Sequence, residues 1–273
     1  MILYCNIVKT PGFVYPGVFL SILLAVFVET CYNFGMKYIE RGLLLNIFPF
    51  ADSLTEAQAY MHIAGYPDFT RRELKDLTRI MHGYMPADMY VRQMTNKYFN
   101  MHGLAGRDNL PAAIPENLIK TRDPAILHVF ERKVYPARLV SEFRFGPIVT
   151  FSAEDFIDLN GRICGDIYPD AGSVRPDINF NELACIFQSH GAGLKSCEQD
   201  LWGLCERFER LIAELLSLNV FAHGNLFTCM AFTAKLAYFW GKTCHFIDSD
   251  TPGCITFKFS DRKQACTGLV RVA

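Results

Sequence analysis

Apolar and polar residues recur along much of this chain at helical spacing, most clearly over Glu198–Gly241. From about Glu198 to Leu218, the residues Leu201, Leu204, Cys205, Phe208, Leu211, Ile212 and Leu215 return at steps of three and four, which places them on one helix face. Glu206, Arg207, Glu209, Arg210 and Glu214 fall on the other. Leu226–Trp240 is apolar nearly all round, interrupted by Thr228, Thr233 and Lys235. A helix without a polar face must be surrounded. This run is shorter than the ~20 residues of a bilayer span, so it predicts the buried central helix of a folded domain. The intervening loop is Asn219-Val220-Phe221-Ala222-His223-Gly224-Asn225. Gly224 and Asn225 open the second helix, whose first N–H groups lack intrahelical partners and carry the positive end of its dipole. Such an end can hold an anion. The plainer reading is a Gly/Asn turn between packed helices.

Upstream, the pattern predicts several short helices. Ser53-x-x-Glu56 reads as a capping box. After the turn Tyr66-Pro67-Asp68, Thr70 caps a helix over Arg71–His82 with Leu74, Leu77, Ile80 and Met81 inward. Pro86 opens a third helix that stops at Gly103. The Pro- and Asn-bearing segment 106–122 reads as loop and as the seam between an N-terminal helical region, 1–110, and a main domain, 111–273. A short helix is expected over Pro124–Lys133, and another after Ser152-x-x-Asp155, with Phe156, Leu159 and Ile163 on its apolar face. Near the end, Ile255–Phe259 alternates as a strand does. Pro11–Val28 is uncharged and mostly apolar, at the lower length limit of a membrane span. Three readings of it stand in order: buried core helix, membrane anchor, signal peptide.

Charge and cysteine usage narrow the function classes. The 27 basic and 28 acidic residues balance, with no basic run, so the electrostatic footprint of a nucleic-acid binder is missing. The ten cysteines include no C-x-x-C pair, which argues against a zinc ribbon or a thioredoxin-like site. Cys205 and Cys229 sit on apolar helix faces, where a free cysteine serves as a small core residue. The chain has no Asn-x-Ser/Thr sequon, and a reducing, cytoplasmic setting is the expectation. His62, His82, His102 and His128 show no i,i+4 pairing of metal type, so no metal site is expected.

The helix beginning at Ser152 runs into Gly165-Asp166-Ile167-Tyr168-Pro169-Asp170-Ala171-Gly172-Ser173-Val174-Arg175. That string resembles the segment of the Fic/Doc (Fido) family in which a helix ends in Gly-Asp-(Ile/Val)-Tyr-Pro-x-Ala-Gly-x-(Ile/Val)-Arg. Asp170 stands where the family usually has Trp. A β-hairpin flap follows in the family, and Arg175-Pro176-Asp177-Ile178-Asn179-Phe180 is similar to its first strand, with one residue extra. Asn219 to Phe227 then falls without a gap on the signature loop His-Pro-Phe-x-(Asp/Glu)-Gly-Asn-Gly-Arg, with Phe221, Gly224 and Asn225 identical. The resemblance covers 152–241, roughly a third of the chain. It implies a mainly α fold: a Fic-like helical core with a small β-hairpin flap, plus an N-terminal helical extension. It also implies target docking at Arg175, Ile178 and Phe180, although Arg175 and Gly172 read first as structural.

Fic-like proteins typically transfer AMP, or another phosphate-containing moiety, to a target hydroxyl. They use a His as general base, an acidic residue on Mg²⁺, two glycines beside the diphosphate and an Arg for transition-state charge. At the matching positions this chain has Asn219 for the His, His223 for the acid, Leu226 for the second Gly and Phe227 for the Arg. An amide is no base near neutral pH, and hard cations prefer oxygen to imidazole, so Mg²⁺ is not expected. Gly224 and Asn225 keep some backbone capacity for an anion, with ATP or another nucleotide as the candidate ligand. The family's autoinhibitory (Ser/Thr)-x-x-x-Glu-(Gly/Asn) helix has no clear copy, consistent with the lost Arg. Three functions follow as expectations. The first is a Fic-fold protein without the transferase chemistry, binding a protein or nucleotide-like partner, in the cytoplasm or exported into a host cell. The second is an altered transferase with His223 as substitute base. The third is a membrane-anchored helical protein, held through 11–28, with a Fic-like scaffold.

Overall fold

A computed structural model describes residues 53–99, 115–146, 149–197, 200–249, 254–260 and 265–271. The stretch 11–28 lies outside them. Among the described residues there are eight helices: α1 (Ser53–Ile63), α2 (Arg71–Met81), α3 (Ala87–Phe99), α4 (Pro124–Phe145), α5 (Ala153–Cys164), α6 (Phe180–Ser196), α7 (Leu201–Leu218) and α8 (Asn225–Phe239). They precede an antiparallel sheet of β1 (Thr243–Asp248), β2 (Cys254–Ser260) and β3 (Ala265–Arg271), in that order. The molecule is mainly helical with a C-terminal three-stranded sheet.

Two helices organise the packing. α4 carries α1, α2 and α3 on its flanks, and α8 is packed by α5, α7 and β1. Along α8, Thr228 through Ala234 are all fully enclosed, as its nearly all-apolar sequence predicts. Tyr60 joins the two groups. It is fully buried, its ring meets Phe143 of α4 and Phe246 of β1 edge-on, and its hydroxyl donates to the Met230 carbonyl at 3.1 Å. α7 presents its leucine face inward and is capped by Asp200, which accepts from the Trp202 N–H at 3.1 Å.

The sheet closes over α7 and α1. Its inner face is Cys244 and Phe246 from β1, Ile255, Phe257 and Phe259 from β2, and Cys266, Gly268 and Val270 from β3. Gly268 lies opposite Phe257, and a Cβ there would come within 2.4 Å of the Phe257 ring. The strand expected at Ile255–Phe259 is present as the middle strand.

Three local expectations need correction. The helix expected to stop at Lys133 runs to Phe145, straight through Pro136. A mid-helix proline costs ~3 kcal/mol. Here Phe130, Val134, Tyr135, Ala137, Leu139 and Val140 are all buried around it, and that burial outweighs the local cost. The capping box at Ser53 does not form. Ser53 Oγ is buried without a hydrogen bond, and Glu56 turns instead to His245 of β1. Finally, no flap strand exists at 175–180. Ile178 N–H donates to the Arg175 carbonyl at 3.0 Å in a turn, and Asn179 caps α6 through the Asn181 N–H at 2.9 Å. Pro176 cannot donate to a ladder, and the Asn179 cap draws the chain into a helix. The cap expected at Thr70 does form, and as a full capping box, with Glu73 bonded back to the Thr70 N–H at 2.7 Å.

Candidate functional site

The loop between α7 and α8 begins at Asn219, which closes α7 in the left-handed conformation at φ +51°. Asn tolerates that region better than other residues with a Cβ, which suits it to end a helix. Val220 and Phe221 then turn inward and are buried. Gly224 caps α8 at φ +74°. A Cβ there would lie 2.2 Å from Cys164 Sγ, so glycine is required both by its dihedral and by its neighbour. Asn225 holds the loop closed. Its Oδ1 accepts from the Phe221 N–H at 2.9 Å, and its Nδ2 donates to the Phe221 carbonyl and, at 2.7 Å, to Asn219 Oδ1.

The segment 165–175 folds against this loop. Gly165 ends α5 with its N–H on the Gly161 carbonyl, and Ile167 and Tyr168 fold back into the core. Gly172, at φ +77°, sits against Gly161. Arg175 donates its backbone N–H to the Val220 carbonyl at 2.9 Å, and its Nη1 reaches the Asn219 carbonyl at 3.4 Å. The rest of the guanidinium pairs with Asp177. Arg175 thus satisfies carbonyls at the end of α7. Ile178 is half-buried, and Phe180, the first residue of α6, is exposed.

Asn160 was not among the expected site residues, yet it joins the two segments. It is fully buried on α5. Its Nδ2 donates to the His223 carbonyl at 2.9 Å and Thr228 Oγ1 at 3.0 Å, and its Oδ1 accepts the Gly172 N–H at 2.8 Å. One sequence signal marks it: it is the polar residue within the apolar stripe Phe156, Leu159, Ile163.

The side chains of Phe227, Leu226 and His223 are committed to packing. Phe227 is buried against Tyr135, ring centroids 4.5 Å apart, and further from Tyr66. Leu226 is half-buried and packed on the core. The His223 ring stacks on Tyr168, centroids 3.7 Å apart and 10° from parallel. Its Nε2 lies 3.9 Å from Asp170 Oδ1, beyond a hydrogen bond. Burial pushes the His223 pKa below its ordinary value, with Asp170 and Glu131 pulling the other way. The ring is therefore neutral at pH 7. Glu131 accepts from both the Tyr66 and Tyr168 hydroxyls. Burial, with Glu131 adding to it, pushes both phenols well above the usual range, so neither offers a phenolate.

Chemically, the loop offers one neutral imidazole near one carboxylate, and a helix N-terminus with no side-chain cap. Two clefts, of about 330 and 290 Å³, lie elsewhere. One is lined by Arg138, Ser141, Glu142 and Arg162 between α4 and α5, the other by Phe151, Ala184, Phe187 and Gln188 beside α6. Behind the first, Lys235 of α8 is buried and pairs with Glu142 at 2.6 Å. Among the described residues, no group of three His, Cys, Asp or Glu is placed to hold a metal ion, and no helix is long and apolar enough to cross a membrane.

Comparison with known protein-family models and with curated proteins finds no match to this chain.

Proposed function

We propose that the chain is a Fic-like protein whose signature loop serves as architecture, and that it acts by binding a protein partner and not by transferring a nucleotide moiety. The observation that carries this reading is Phe227. It falls on the position of the family's transition-state arginine and is buried against Tyr135, an apolar ring in place of a guanidinium. The other positions agree. Asn219 is a helix cap, Asn225 is spent on the loop's own groups, and Leu226 packs on the core.

Titration of nucleotides with and without Mg²⁺ tests the proposal. The expected result is no metal-dependent binding at micromolar concentration and no transfer of label to any protein. Micromolar, Mg²⁺-dependent binding accompanied by labelled transfer would overturn it.

A second reading rests on His223. A neutral ring beside Asp170 and Tyr168 is in the right protonation state for a base, which favours an altered, metal-independent phosphate-group transfer. In that case His223→Gln abolishes labelling by a nucleotide donor without Mg²⁺, while Asn219→Ala does not. Anchoring through 11–28 stands as a further proposal. Removing residues 1–30 and comparing detergent partitioning decides it.

A further inference from the structure

Three buried thiols, Cys205, Cys244 and Cys266, meet where α7 covers the sheet. Strand register sets their spacing. Phe259 of β2 is paired with Cys244 on one side and Cys266 on the other, and all three face inward. Phe259 stacks on Phe208 of α7, ring centroids 5.0 Å apart. Cys205 precedes Phe208 by one helical turn, and Leu201 precedes Cys205 by another, so the three share a face. Cys266 therefore lies under the turn that carries Cys205. Its Sγ–H donates to the Leu201 carbonyl at 3.5 Å, the carbonyl that the helix ladder turns toward the Cys205 N–H.

We propose that Cys205 and Cys266 form a modification site: a dithiol that closes to a disulfide in oxidising surroundings and staples the C-terminal strand β3 to α7. Cys244 is the wrong partner for Cys266. Two strand spacings separate them, about 10 Å, whereas disulfide Cα atoms lie within about 7 Å. The chemistry balances with a small-molecule disulfide such as oxidised glutathione. A thiolate from one cysteine attacks it and releases one glutathione. The second cysteine then attacks the mixed disulfide and releases the other. The two S–H bonds become one S–S bond, and the two electrons and two protons leave with two glutathione thiols. Burial holds both groups in the thiol form, which slows attack in the closed fold. β3 is an edge strand, so closure proceeds when it lifts or as the chain folds.

The test uses the full chain, refolded in a glutathione redox buffer, alkylated, and mapped as peptides without reduction. The expected result is a peptide pair joining Cys205 to Cys266, two hydrogens lighter than the free thiols. The melting temperature should rise by roughly 5 °C, reversed by dithiothreitol. Cys266→Ala removes both effects and Cys244→Ala removes neither. Full alkylation of both thiols after oxidative refolding overturns the proposal, as does linkage confined to Cys185, Cys197 or Cys244. If the alanine variants fail to fold, peptide mapping of the unaltered chain decides the matter alone.

Discussion

Gly224 shows how much a single position can carry. Its positive φ and the nearby Cys164 sulfur both exclude a side chain. Gly224→Ala should therefore destabilise the protein by about 2–4 kcal/mol, measured by chemical denaturation. Adding Cys164→Ala should recover the steric part and leave the dihedral part. His223 makes a different prediction. Its folded-state pKa is depressed below the ordinary 6.5 by burial. The unfolded chain then binds more protons than the folded one as pH falls through 6.5, so stability drops on acidification below that point and is level above it. His223→Phe keeps an aromatic ring over Tyr168 and should flatten the melting temperature between pH 7 and 5. A wild-type profile already flat across that window would refute the assignment.

Elements were readable where one physical rule dominated. The leucine stripe of α7, the enclosed sequence of α8, the Thr70 cap and the alternation of β2 all depend on local periodicity or a local hydrogen bond. Two misses were decided beyond the local pattern, whereas the flap was lost locally, to Pro176 and the Asn179 cap. Pro136 continues a helix because buried residues surround it, and Glu56 abandons its cap for His245. Asn160 reads as a fault in an apolar stripe until the Gly172 amide and the His223 carbonyl are seen beside it. The segments 165–175 and 219–227 stand out in the sequence, whereas the buried amide that joins them does not. At this scale Gly268 is decisive. A methyl group there would meet the enclosed Phe257 ring, so Gly268→Ala should cost about 1–3 kcal/mol and loosen β3, read by hydrogen exchange at Ile255–Phe259.

For the whole molecule, the buried pair Lys235–Glu142 ties α8 to α4. Glu142 also receives Arg162 of α5, so one carboxylate serves three helices. Glu142→Gln leaves Lys235 in the interior without its carboxylate, held by the backbone carbonyl of residue 142, and should cost about 3–5 kcal/mol. The double change to Glu142→Leu with Lys235→Met should lose much less, because no isolated charge is left behind. A single-variant loss below about 1 kcal/mol would show that Lys235 is already neutral in the folded state.

The clasp of α1–α3 around α4, completed by the Tyr60 hydroxyl on the Met230 carbonyl, carries a consequence for how the chain can be assembled. Those contacts join parts far apart in sequence without needing continuity of the backbone between α3 and α4. Two separately expressed pieces, 1–105 and 106–273, should find each other on mixing and elute together. Replacing Tyr60 by alanine in the shorter piece should abolish that reunion.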